Sequence, residues 1–332
     1  MSSFRYKQFD KKFSGFKHKM CITVASHLTI AIRVKYLCSC LKSLLSQTVV
    51  IPIFLSVSFE NELVMKIFKK QMDFHKLMDN DNIHIIMKNQ KTSQFRHIFE
   101  VFELVKEDFD FYMYCDDDDT YKATRVEHFM NAINFTLSSK HKIDDLMGVY
   151  ENHKKINIQV NYLEFWNYCI SKKYIQELLT KLNDGGYYYH VDNVMFDMFY
   201  GAYFRYIMSR TKFFVEINVE LYNHNDYENS ITGIITKNNK RDKPTIVNYS
   251  DYIENDIAGF KNHIFLDVAN GLDVSVDKML WEQLGIKRGI IKPNIMKILD
   301  DYYTELKTWC LDMGFNYFGQ EEAKRVIISV RG

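Results

Sequence analysis

Residues Phe109 to Tyr121, FDFYMYCDDDDTY, set a short apolar run directly against four consecutive aspartates, Asp116, Asp117, Asp118 and Asp119. The run Phe109 to Cys115 reads as a buried strand. Adjacent carboxylates repel, and the repulsion is stronger in a low-dielectric cleft than in water. A fold that places them at the end of a hydrophobic strand therefore needs a cation there. Oxygen-only ligands suit hard divalent ions, magnesium and manganese, which bridge a substrate's phosphates to the protein. The carboxyl end of a strand is also where open α/β sheets bind ligands. A solvated turn in which Asp118 or Asp119 caps the next helix is the simpler reading, but a cap needs one aspartate and not four.

The sequence on either side agrees with such a sheet. Cys21–Ser26 reads as a strand, followed by a helix over Arg33–Leu45 with Val34, Leu37, Cys38, Leu41 and Leu44 at helical spacing. Val49–Val57 is a second strand, with Pro52 near an edge or a strand start. Leu63, Val64, Ile67, Phe68 and Met72 mark a second helix, Ile83–Met87 a third strand, and Phe95, Ile98, Phe99, Phe102 and Val105 a third helix. Alternation of this kind makes right-handed βαβ units and a mostly parallel sheet. There is no GxGxxG and no GxxxxGK[ST], so phosphates bound here would be handled by metal and not by a glycine cradle.

Beyond the aspartates the pattern is mixed. Val126 to Leu137 reads as a helix, where Asp119 is the residue placed to cap it. Met147–Tyr150 and Ile156–Phe165 read as strands. Ser171–Leu182 is a helix with Ser171 as its N-cap, Asp192–Tyr206 another helix, and Lys212–Tyr222 a strand. Asn238–Lys243, NNKRDK, is the linker candidate. The rest reads as helical, with Pro293 opening a helix that runs to Gly314.

The 332 residues suit one large α/β domain with a smaller addition, and 47% hydrophobic residues supply a sizeable core. A net charge of +1 gives no bulk electrostatic case for nucleic acid or membrane. The six cysteines include no CxxC pair and fit buried free thiols in a reducing compartment. The apolar run Cys21–Ile32 is too short to span a membrane. No signal-peptide apolar region is visible, so the expected location is cytoplasmic.

Four stretches resemble the inverting, family-two-like glycosyltransferases of the GT-A fold: TVASHLTIAIRVKYLCSCLKSLLSQT (Thr23–Thr48), CDDDDTY, HVDNVMFDMFY (His190–Tyr200) and LYNHNDYENSIT (Leu221–Thr232). Together they cover roughly residues 20–235. The resemblance implies an α/β, GT-A-type nucleotide-diphospho-sugar transferase fold, a mostly parallel central sheet flanked by helices, with a C-terminal helical appendage. It implies a glycosyltransferase domain at 20–237 (nucleotide-binding half 20–121, acceptor half 122–237), to which the residues themselves add a polar extension at 1–19 and a helical region at 238–332. It also implies a sugar passed from a nucleotide-diphosphate donor, UDP-sugar first among them, to a hydroxyl of a glycan, protein or lipid, with manganese or magnesium as cofactor.

The family's Asp-x-Asp positions fall on Asp116 and Asp118, which share one side if the backbone stays extended. Asp118 is then the direct metal ligand, while Asp116 shares the metal or contacts ribose. The other register pairs Asp117 with Asp119. Ser26, His27, Thr29 and Arg33 follow the first strand on the donor side, and Arg33 can fork onto a diphosphate. Where the family carries Asp-Asp-Gly-Ser after the second strand, this chain has Ser58-Phe59-Glu60, so Glu60 or Ser58 takes that place. Gln94, Arg96 and His97 open the third helix, whose N-terminus favours anions. Asp117 completes the donor set. His224 is a candidate third metal ligand. On the acceptor side are Trp166, Asp192 and Asn193, with Asp192 as catalytic base and Asp197 in reserve. The family's Glu-Asp pair is Val191-Asp192 here. Two other classes remain open: a metal-dependent nucleotidyl- or phosphoryl-transfer enzyme, and a non-catalytic metal- or partner-binding protein.

Overall fold

A computed structural model describes residues 18–139, 141–151, 164–207, 212–225, 248–269 and 275–314. Its centre is a seven-stranded sheet. Strand β1 (Met20–Leu28) pairs in parallel with β2 (Ile53–Phe59) on one side and β4 (Phe111–Asp116) on the other. β3 (Ile83–Met87) extends the sheet in parallel beyond β2. Past β4 come β7 (Tyr168–Ser171), β6 (Leu146–Glu151) and β8 (Phe213–Ile217); β7 runs antiparallel to both neighbours, and β8 runs parallel to β6. The fold is thus α/β with a mostly parallel sheet flanked by helices, consistent with the GT-A-type architecture that the resemblance implies. β1 is mostly apolar and buried at every position but His27, as a strand covered on both faces must be.

The first half follows the hydrophobic periodicity closely. α1 spans Ala31–Leu45, α2 Glu62–Phe74 and α3 Gln94–Val105. Each turns an apolar stripe inward: Val64, Phe68 and Met72 lie four apart on α2, whose N-cap Asn61 accepts from the Val64 N–H at 3.0 Å. Pro52 sits immediately before β2, which is an interior strand, so it marks a start and not an edge.

The second half departs from expectation at several points. The Ile156–Phe165 strand lies largely outside the described residues, and Phe165 opens a 3₁₀ turn, Phe165–Asn167, that feeds β7. The Lys212–Tyr222 strand is two: β8, then β9 (Tyr222–Asn223), which pairs with β5 (Thr120–Tyr121) in a separate two-stranded sheet. Asp192 does not begin a helix. It closes a 3₁₀ turn, Tyr188–Asp192, and Asn193 Oδ1 accepts from Met195 N at 2.8 Å, which delays α6 to Phe196–Ile207. Helix α4 (Arg125–Ser138) starts with Thr124 at its cap position, so Asp119 does not cap it. Ser171 does stand at the N-cap of α5 (Lys172–Asp184), yet its hydroxyl makes no cap bond. Gly148 in β6 has φ +154°, and a Cβ there would lie 1.9 Å from the Cys169 carbonyl oxygen of β7. Only glycine permits that approach.

The linker candidate Asn238–Lys243 lies outside the described residues, as does most of the 1–19 extension. Beyond it the described residues are mainly helical: α7 (Tyr249–Asn255), α8 (Ile257–Ala269), α9 (Val276–Leu284) and α10 (Pro293–Asp312), with Pro293 in the first turn of α10. No helix among the described residues is long and apolar enough to cross a membrane. These helices pack on the sheet domain through Trp309 of α10. It is fully buried, with its ring 4.2 Å from that of His190 and 4.1 Å from that of Phe199 on α6.

Truncating a fully buried tryptophan leaves a cavity that the surroundings fill only in part. Trp309→Ala should therefore destabilise the protein by about 3–5 kcal/mol in chemical denaturation. A loss below about 1 kcal/mol would show that α10 rests only loosely on α6.

Candidate active site

The aspartates do not continue the strand. β4 ends at Asp116, and Asp117 and Asp118 form a turn closed by the Asp119 N–H on the Asp116 carbonyl, 3.3 Å. The extended register expected from the sequence, with Asp116 and Asp118 on one side, is thereby replaced. The side chains diverge, Asp116 and Asp119 to separate elements and Asp117 and Asp118 to a shared Arg33, which is the geometric answer to their repulsion.

Asp116 turns to α3, where Gln94 Nε2 donates to Oδ1 at 2.7 Å. Asp117 turns to the end of β1 and the start of α1. It accepts from the Ser26 hydroxyl through one oxygen and from Arg33 Nη2 through the other, at 2.6 Å. Asp118 lies 3.7 Å from Arg33 Nη1. Asp119 turns inward to β9, accepting from the Tyr222 hydroxyl at 2.8 Å and from Asn225 N at 2.7 Å. The same Tyr222 oxygen accepts from Asp116 N at 3.1 Å, so one phenol ties both ends of the turn.

A buried ion pair backs this arrangement. Arg125 of α4 and Glu151 of β6 are both 0% exposed, with Nε 3.1 Å from Oε2. Arg125 also lies over the rings of Tyr121 and Tyr222, at 4.3 and 4.7 Å, and donates to the Trp166 carbonyl at 2.7 Å. Glu151 Oε1 in turn accepts from the backbone N–H groups of Leu221 and Tyr222. Strand β9, and with it Tyr222, is thus held against the aspartate turn by a charge pair that has no access to water.

Electrostatics mark the turn as charge-stressed. Burial, then Asp119, Asp118 and Glu164, push the Asp116 carboxyl well above its ordinary range. Burial and Asp117 raise Asp118 against the opposing pull of Arg33. Burial lifts Asp119 to about 6. Two carboxylates held reluctantly without a cation, Asp116 and Asp118, with the exposed His224 close enough to lower Asp118, suit a hard divalent ion. Among the described residues no three such donors converge. Ions of the magnesium type need no more than one or two carboxylates when substrate phosphates complete the shell. The residues therefore fit a cation that arrives with a diphosphate.

The remaining expected donor residues divide into two groups. His27 lies at the carboxyl end of β1, Nδ1 2.9 Å from Ser58 Oγ and Nε2 3.0 Å from Glu60 Oε2, with Thr29 exposed beside it. His97 is fully buried between the hydroxyls of Ser56 and Ser58, and burial lowers it to about 4; it supports β2 and presents nothing to a ligand.

On the other side, Trp166 is buried and stacked on Tyr222 at 4.1 Å, so its ring offers no open face to a sugar. Asn193 is spent on its own turn and on Tyr302, at 3.3 Å. Asp192 is gripped by both ends of the Arg96 guanidinium and by Ser93 Oγ at 2.7 Å, and the Arg96 bonds lower its pKa. It lines an open cavity of about 690 Å³ with Lys88, Lys91, Arg96 and Glu100.

Two carboxylates gain weight from the fold. Glu164, which no spacing pattern marked, receives the Trp166 indole N–H at 2.6 Å and raises both Asp116 and Asp197. Asp197, in the first turn of α6, is lifted to about 7, mainly by burial.

No protein-family model matches this chain, and no curated protein matches it. Solved structures of S. aureus TarS align with it. One alignment covers 89% of this chain and 54% of the TarS chain, at 12% identity and a TM-score of 0.41. Another, to TarS residues 1–349, covers 48% of this chain and 49% of the other, at 14% identity and a TM-score of 0.31. The chain thus spans about half the length of these structures, and superpositions this distant carry no argument about function.

Tyr222→Phe keeps the ring stacked on Trp166 but strips the hydroxyl from two partners. Leaving buried polar groups unpaired costs about 1–3 kcal/mol, so urea unfolding should show a loss of that size. A loss below about 0.5 kcal/mol would mean that the phenol does not hold the turn.

Proposed function

We propose that this protein is a metal-dependent glycosyltransferase that moves a sugar from a nucleoside-diphosphate donor, UDP-sugars first among them, to a hydroxyl of a glycan, protein or lipid, with inversion at the anomeric carbon. The observation that supports it most is a division of labour among carboxylates at the sheet's carboxyl edge. Asp116, Asp117 and Asp118 gather with Arg33 at the end of β1 and β4, while Asp197 stands apart on α6 with a pKa lifted to about 7.

The donor's base and ribose would lie over the ends of β1 and β2, beside His27 and Glu60. Its diphosphate would face Arg33, whose guanidinium fork matches phosphate oxygens. A divalent cation held by Asp118 and Asp116 would neutralise the diphosphate as it departs. Inversion requires a base on the opposite side of the anomeric carbon, to take the acceptor's proton as the new C–O bond forms and the bond to the diphosphate breaks.

Sequence spacing offers Asp192 for that task. Its bonds to Arg96 and Ser93 favour the ionised, weakly basic form. A base works best with a pKa near the working pH. Asp197 meets that condition, and we assign it the base role, with Asp192 fixing the acceptor-side cavity through Arg96.

One observation favours a second reading. The Glu164 charge raises both Asp116 and Asp197, and clustered acids also serve metal-dependent phosphoryl transfer. The products separate the two. Sugar transfer from a UDP-sugar releases UDP, whereas attack on a phosphorus leaves UMP or a sugar phosphate.

With a panel of UDP- and GDP-sugars and manganese, Asp197→Asn should lower transfer by about 10²–10⁴-fold at unchanged donor affinity. The wild-type rate should climb with pH through about 7 as Asp197 ionises. Glu164→Gln removes a like charge, lowers the Asp197 pKa and should move that limb to lower pH. Full activity in Asp197→Asn, with loss in Asp192→Asn, would return the base role to Asp192.

A further inference from the structure

Arg33 bonds to the aspartate turn, and its contacts are unequal. Nη2 is hydrogen-bonded to Asp117 at 2.6 Å, and Asp117 is itself held by the Ser26 hydroxyl. Nη1 reaches Asp118 only as a longer ionic contact, 3.7 Å. Nε is buried with no hydrogen-bond partner. The guanidinium is therefore anchored at one nitrogen and loosely committed at the other two. Its loose end occupies the space beside the carboxylate best placed to meet a divalent ion.

We infer that Arg33 is a mobile counter-ion that couples metal binding to diphosphate binding, and that Asp117 positions it. The inference rests on the donor site proposed above. With no nucleotide present, Nη1 neutralises Asp118 and repels an incoming dication. When a nucleoside diphosphate arrives, Nη1 and Nε turn to its oxygens while Nη2 stays on Asp117. Asp118 is then released to the metal. Neither ligand binds well alone, and each improves the other, because the coupling between two sites is reciprocal.

The two-state swing gives a signature that a fixed charge does not. A stationary cation would weaken manganese binding and strengthen UDP binding by amounts that cancel from the coupling between them. A swinging one adds to that coupling.

Isothermal titration should measure manganese alone, UDP alone, and each in the presence of the other. In Arg33→Gln, manganese alone should bind about tenfold more tightly and UDP alone more weakly. The manganese–UDP coupling factor should fall by about fivefold or more. Asp117→Asn, which frees the anchor but keeps the arginine, should lower the coupling too. Should Arg33→Gln fail to fold, Arg33→Lys keeps the charge but cannot span Asp117 and Asp118; it should bind manganese as weakly as wild type and still lose coupling. Wild-type coupling retained in the variant that folds would overturn the inference while leaving the donor site standing. Absence of manganese–UDP binding in the wild-type protein would overturn both.

Discussion

Four adjacent carboxylates cannot share one poorly solvated corner, and the structure is arranged around that constraint. A β-turn at Asp116–Asp119 fans the side chains toward α3, the end of β1, the start of α1 and strand β9. Each direction recruits a partner from a different part of the chain: Gln94, Ser26, Arg33 and Tyr222. Their separation in sequence is what draws the two halves of the chain together at the sheet's carboxyl edge.

The cost of that arrangement is met further down. Tyr222 can serve the turn only while β9 is held in place, and β9 is held by Glu151, whose buried side chain is paired with Arg125. Breaking such a pair from one side strands a charge and is far more damaging than replacing both partners. The C-terminal helices play a similar part for the other half of the site. Trp309 packs on Phe199 of α6, the helix that carries Asp197, so the seating of that helix depends on a residue more than a hundred positions away.

Much of the first half was legible because its signals are local. The alternation of apolar strands and amphipathic helices through β4 needs nothing beyond periodicity. The acidic motif marks the address of the candidate site for the same reason. Its internal geometry was not legible, because the turn that splits Asp116 from Asp118 is set by Tyr222 and Arg33, distant in sequence. Trp166 stands among the acceptor-side candidates although aromatics in strands are more often core, and the Tyr222 ring lying against it decides for core. Asp192 and Asp197 are five residues apart on one motif. The difference between them is Arg96, ninety-six positions before Asp192, which binds one and leaves the other to be shaped by burial. Glu164 carried no signal at all, since a lone glutamate beside aromatics has no spacing to mark it.

The central claim is that the Asp116–Asp119 turn receives a metal-bound nucleoside diphosphate. Anomalous diffraction at the manganese edge, from crystals grown with manganese and UDP, tests it most directly. The account predicts a manganese peak within about 2.0–2.6 Å of a carboxylate oxygen of Asp118 or Asp116 and of the UDP diphosphate, with the Arg33 guanidinium on the phosphate oxygens. Manganese and UDP bound elsewhere, with Arg33 still on Asp118, would contradict it.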